Sequence, residues 1–544
     1  MPFTKTRWPL FAALVLGVAA VASIWYFALS HPRGEAVPAS GGRYVEGVTR
    51  APERINPLFA SANQTDADLA ALVFSGLVRL GPDGTPQPDL AERWEITGNG
   101  QSYVFHLRHG VAWQDSEPFS ADDVVFTYRA IASPGFRGDP ALAQLMEGVV
   151  VSARDAQTVE FRLEQAYAPF LSYLTIGILP RHLLEGLDPG QLYSAGFNAR
   201  PVGTGPWVLK RVSDSGVTLA SNPTYYLGPP HIATLELRVY PDEAALAAAL
   251  RQREIDGALL GPGAAPSDID FLRGDRRFAL HAMTGTAFNI VYFDTRSPLF
   301  SDQAVRQALW QATDVEALAA AAGGGVRVTD SIAPGLWAHA TPPEAPDFDP
   351  GAAASALERA GWSRGSDGIR RKGDQRLAFT LSTANDADRV ALANELERQW
   401  EAVGAEVTVQ PLDAAVFIEQ YLLPRKFEAA LALIDPGGDP DPYPFWHSSQ
   451  IAEPGRNLSN YSDARIDDVL ERARQTTDTH RRQELYALFA GYFIADAPAI
   501  PLFAPQWTYA QETRVQGFAE SLLFTPASRF SNVQDWYVRT RTGP

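Results

Sequence analysis

From Arg43 onward the chain alternates short stretches of period two with longer stretches of period three to four. Tyr103, Phe105 and Leu107 alternate with Val104, His106 and Arg108, and Val159, Phe161 and Leu163 alternate with Thr158, Glu160 and Arg162. Both patterns predict half-buried strands of one antiparallel sheet. Tyr44-Val45-Glu46, Val208 to Val212, Phe288 to Phe293, a stretch ending at Leu381, Val407 with Val409, and Pro498 to Phe503 read as further strands. Helical stripes run through Asp66 to Leu80, through Leu392, Leu396, Trp400 and Val403, through Ile466, Val469, Leu470 and Ala473, and through Leu485, Leu488, Phe489 and Tyr492. Ser120-Ala-Asp-Asp123 is a capping box, and Asp242, Asp302 and Asp349 open other helices. Strand and helix are interleaved along the whole chain, which predicts an α/β architecture.

One stretch breaks both periods. Ile434 to Trp446 holds Asp435, Asp439 and Asp441, four prolines and three aromatics. That proline density excludes a long helix or central strand and predicts a shaped loop. Proline restricts the chain before binding, so carboxylates and rings can be held ready. Such a loop suits a ligand with a cationic end and an apolar body. The plainer alternative is a solvated Asp-Pro turn beside a few buried rings.

The N-terminus changes the picture of compartment. Lys5 and Arg7 precede an uncharged apolar run from Pro9 to Leu29, long enough to span a bilayer. Residues 1–30 therefore read as a membrane anchor, with a cleaved signal as the alternative, and the basic flank stays inside while the body is exported. Residues 31–42 read as a tether. The full 544 residues exceed one compact domain, and the net charge of −17 argues against nucleic acid as partner. Zero cysteine excludes disulfides, zinc–thiolate sites and a thiol nucleophile.

Catalytic and cofactor signatures are missing. There is no phosphate loop, no dinucleotide-binding glycine pattern, no nucleophile elbow and no metalloprotease helix motif. His106 and His109 lie on or beside a strand and are not expected to share a zinc, and His447 reads as a rim residue beside the acidic loop. Asp435 with Asp439 could form an acid–base pair, but turn formation or electrostatic binding of a cation explains them more simply. Trp113, Trp207, Trp337, Trp362, Trp400 and Trp446 could line a pocket or fill a core.

Several segments in order resemble the extracytoplasmic solute-binding proteins of peptide ABC transporters, the dipeptide- and oligopeptide-binding family. They are Arg108 to Val124, Gly203-Thr-Gly-Pro-Trp207, Phe300 to Ala308 with Asp314, Ala360-Gly-Trp362, Asn457 to Tyr461 and Asp496 to Leu502. The resemblance covers about Arg43 to Tyr537. It implies a periplasmic-binding-protein type II-like cleft fold, with a discontinuous first lobe (43–79, 200–285 and 504–544), an inserted subdomain (80–199) and a second lobe (286–503). Crossing strands near Thr286 and Phe503 would form the hinge. It further implies a monomeric, non-catalytic receptor without cofactor or metal that delivers short peptides to permease subunits. In the family an aspartate of a Trp-x-x-Asp segment pairs with the peptide's α-ammonium. The matching Ala432-Leu-Ile-Asp435 lacks the tryptophan, so Asp435 is the first candidate, Asp439 the second, and Glu46, Tyr443, Trp446 and Asn457 are further ones. The same fold binding an oligosaccharide, opine or nickel chelate is the alternative, and an exported hydrolase a more distant one.

Overall fold

The structure, a computed structural model, describes Gly17, residues 36–339 and residues 344–542. The expected anchor lies outside the described residues apart from Gly17, and among the described residues no helix is long and apolar enough to cross a membrane.

Three sheets organise the body. The largest has eight strands, in the order Phe278–Thr284, Phe503–Glu512, Gly257–Leu260, Arg43–Val48, Thr234–Val239, Gly216–Ser221 and Trp207–Ser213, with Gly325–Arg327 added on Phe503–Glu512. Arg43–Val48 is its central strand, parallel to both neighbours. A five-stranded sheet runs Glu406–Leu412, Ala378–Ala384, Ala429–Ile434, Phe288–Phe293 and Ala499–Pro501. The antiparallel sheet predicted from Tyr103 and Phe161 is present with four strands, and those two residues face each other across it.

Helices start where the sequence offers an aspartate. Asp302, Asp314, Asp349, Asp386, Asp463 and Asp478 each accept a backbone N–H of the first helical turn, a contact worth about 1 kcal/mol per cap. Much of the acidic excess is spent this way. The predicted helix Asp66 to Leu80 ends earlier, at Val73, where Phe74 turns extended. Gly76 then passes so close to the Thr175 carbonyl that a Cβ would sit 2.5 Å from its oxygen, and no continuing helix would fit.

Apolar packing forms two large cores and a small third one on the large sheet, around Val45, Leu250 and Ala510. One core joins the large sheet, the four-stranded sheet and the C-terminal tail, from Tyr44 through Tyr103 and Phe161 to Trp536. The segment 80–199 thus has its own sheet but shares its core with the first lobe. The other core belongs to the five-stranded sheet and its helices, from Phe288 through Trp400 to Phe493. The main chain crosses between the two largest sheets at residues 285–287 and again at Leu502, whose N–H donates to the Asn289 carbonyl at 2.8 Å.

Candidate functional site

The acidic loop leaves the end of strand Ala429–Ile434, one strand away from the crossing at residues 285–287. Its prolines do not exclude helix altogether. Tyr443–Trp446 forms a single helical turn with Pro442 before it and Pro444 inside it, positions where proline's missing N–H would be unpaired anyway. The loop faces the other lobe. A Cβ on Gly438 would meet Leu80 Cδ1 at 2.8 Å, and nearby the Trp337 N–H donates to the Asp83 carbonyl at 2.8 Å.

The three carboxylates have different partners. Asp435 is exposed, and its Oδ1 accepts only the local Gly437 N–H at 2.9 Å among the described residues. Asp439 is buried against Arg482, with contacts of 2.7 Å to Oδ1 and 3.2 Å to Oδ2. Its Oδ2 also accepts from the Ser172 hydroxyl, across the lobe boundary, at 3.4 Å. Asp441 is buried against Arg474, whose Nε donates at 2.8 Å. The charge of Asp439 is therefore met inside the protein, while that of Asp435 is open to a visitor. Burial alone would lower the pKa of the Arg482 guanidinium, but Asp439 and Tyr486 outweigh it and hold the cation firmly protonated.

The aromatics form the loop's back wall. Arg474 lies 3.8 Å from the Tyr443 ring centroid and 5.2 Å from that of Tyr167 in the opposite lobe. Tyr443 stacks on His447 at 4.1 Å. His447, expected at the rim, is buried, with Nδ1 2.8 Å from the Ser449 hydroxyl and Nε2 3.3 Å from Glu471. Trp446 is fully buried; its Nε1 donates to Ser331 at 2.6 Å and its ring packs edge-on against Phe493. Asn457, also fully buried, donates to the carbonyls of His447 and Tyr461 and ties the loop's exit together.

Glu46 lies elsewhere, at the centre of the large sheet. It accepts from Arg529 Nε and from the Tyr44 hydroxyl, each at 2.7 Å, and Arg529 also holds Asp68 with two contacts. The structure thus gathers Asp435, Asp439, Tyr443, Trp446 and Asn457 around one loop and leaves Glu46 apart. Arg474, Arg482, Tyr167 and Ser172 were not singled out from sequence. Both arginines sit on helices legible only as apolar stripes, and nothing local marks which acid they meet.

Comparison with known proteins fits this arrangement. Residues 85–454 match the bacterial extracellular solute-binding proteins, family 5 middle segment. The chain is similar to protein XP55 of Streptomyces lividans, 30% identical over 83% of this chain and 81% of that one. It resembles the structure of the oligopeptide-binding protein AppA of Bacillus subtilis in complex with a nonapeptide, at a TM-score of 0.69 and 25% identity, covering 92% of this chain and 100% of that one. It also resembles NikZ of Campylobacter jejuni in complex with Ni(L-His), at a TM-score of 0.69 and 26% identity, covering 91% and 99%. The α/β two-lobe architecture and the ordered motifs agree with these matches: the chain belongs to the bacterial extracellular solute-binding proteins of family 5.

Proposed function

We propose that this protein captures short peptides between its lobes outside the cytoplasmic membrane and passes them, unreacted, to the permease subunits of an ABC importer. The observation that carries the reading is mechanical. Two separately cored lobes are joined at two chain crossings and meet across a loop that keeps one exposed carboxylate, Asp435. Closure of the lobes encloses a guest, and the pairs Asp439–Arg482 and Asp441–Arg474 hold the loop's shape while Asp435 takes the peptide's ammonium. In this reading Tyr443, Trp446 and Asn457 shape the pocket wall, and Glu46 braces the first lobe. The lobes divide at 43–79, 200–285 and 504–544 for the first, 80–199 for the insertion and 286–503 for the second. The apolar run before residue 31 keeps the receptor at the outer face of the membrane, and it works as a monomer without cofactor.

Isothermal titration with a panel of di- to pentapeptides tests the reading, with peptide recovered intact afterwards. No binding by any member, together with binding of a nickel–histidine chelate, would move the chain to the alternative that its likeness to NikZ supports. Peptide turnover lost in Asp435→Asn would turn the receptor into a hydrolase.

A further inference from the structure

A cavity of about 280 Å³ lies in the first lobe, and no residue of 286–503 lines it. Its walls come from the turn after helix Gln64–Val73, from strand Val78–Leu80 and from the C-terminal segment between Ser521 and Gln534. Two opposite charges border it. Arg79 lines the cavity, and its Nε is buried without a hydrogen-bond partner among the described residues. Asp89 lines it too, only 8% exposed, with its carboxyl accepting from the Tyr226 hydroxyl. Burial pushes the Asp89 carboxyl up to about 6, against the pull of that hydrogen bond and of Arg79 and Arg108. A buried guanidinium nitrogen without an acceptor is rare in a native protein and calls for an occupant.

Size and charge together narrow the occupant. Small-molecule sites run from roughly 300 to 1,000 Å³, so this cavity sits at the small end of that range. A lining with one cation and one anion favours a guest carrying both signs. We infer that the cavity binds a single free amino acid, its α-carboxylate on Arg79 and its α-ammonium on Asp89, with Phe74 and Phe524 against its side chain. No residue of 286–503 lines this site, and it does not rest on the peptide reading, although Leu80 and Phe524 also face the second lobe.

Titration calorimetry on the purified full chain tests it, with glycine, L-alanine and L-serine, their C-terminal amides and their N-acetyl forms as probes. At least one of the three amino acids is expected to bind with one-to-one stoichiometry, and its amide and N-acetyl form at least tenfold more weakly. Arg79→Met is expected to weaken binding at least tenfold and Arg79→Lys less, whereas Asp435→Asn leaves it unchanged. The amide comparison uses the unmodified protein, so it stands even where Arg79→Met fails to fold. The inference is overturned if none of the three amino acids binds, if the amides bind equally well, or if Asp435→Asn abolishes binding, which would place the amino acid in the interlobe cleft.

Discussion

Replacing Arg482 with methionine removes the cation that neutralises the Asp439 carboxylate. Both side chains are nearly dry, 6% and 4% exposed, and their shortest contact is 2.7 Å. Without Arg482 the carboxylate keeps, among the described residues, only the 3.4 Å contact from Ser172. Stranding one member of a buried pair costs about 3–5 kcal/mol. The guanidinium also lies 4.9 Å from the Trp337 ring and 5.5 Å from that of Tyr486, contacts worth about 0.5–1 kcal/mol each. The expected loss is therefore about 4–7 kcal/mol, and it falls on the second lobe, which has its own core. Urea unfolding followed by tryptophan fluorescence reads this, since Trp310, Trp362, Trp400 and Trp446 report on that core and Trp113, Trp207 and Trp536 on the other. The double variant Asp439→Leu, Arg482→Met replaces the pair with apolar groups and is expected to recover most of the loss. A single-variant loss under about 1 kcal/mol, or single losses that simply add in the double variant, would refute the view of this pair as a coupled buried contact.

Three further outcomes follow from the same geometry. Asp435→Asn is expected to weaken peptide affinity about tenfold, roughly 1.4 kcal/mol, by titration calorimetry, and an unchanged affinity would remove Asp435 as the anchor. Asp330 is 2% exposed, hydrogen-bonded to the Ile332 N–H, and pushed by burial from 3.8 up to about 7. A raised folded-state pKa means stability that is complete below pH 3.8 and drains away as pH climbs towards 7. Asp330→Asn should therefore be more stable than the parent at pH 8, by up to about 4 kcal/mol, and equal or weaker at pH 4; denaturant midpoints at the two pH values check it. Tyr167→Ala deletes the ring that Arg474 meets across the lobe boundary. A contact of this kind is worth about 0.5–1 kcal/mol, so a two- to fivefold weaker peptide affinity is expected, alongside some loss of first-lobe stability because the ring also packs against that core and on Tyr173. Solution scattering should show the ligand-free protein more open.

What could be read in the sequence was what repeats locally. Apolar stripes and aspartate caps located the helices around Leu396, Val469 and Phe489 because period and cap are properties of neighbouring residues. Strands buried on both faces were harder. Ala429–Ile434 reads Ala-Ala-Leu-Ala-Leu-Ile with little alternation, since it lies between two other strands under helices. Phe503–Glu512, the longest strand, went unread because Pro505 and Gln506 interrupt its apolar pattern, although it pairs with three partners.

The loop itself stood out in the sequence, but the partners of its carboxylates did not, for a related reason. A carboxylate in a proline-rich loop has the same local sequence whether it waits for a ligand or meets an arginine 43 residues downstream, as Asp439 does. Only the fold brings helix Thr479–Asp496 against the loop and decides which acid keeps its charge exposed. The chain is strongly acidic overall, yet seven aspartates of the second lobe cap helices and two more are paired with Arg474 and Arg482. Net charge therefore says little here about the ligand. In the proposed reading, recognition falls to Asp435, the loop carboxylate without a basic partner among the described residues, and its position beside the chain crossing would couple gripping the guest to closing the lobes.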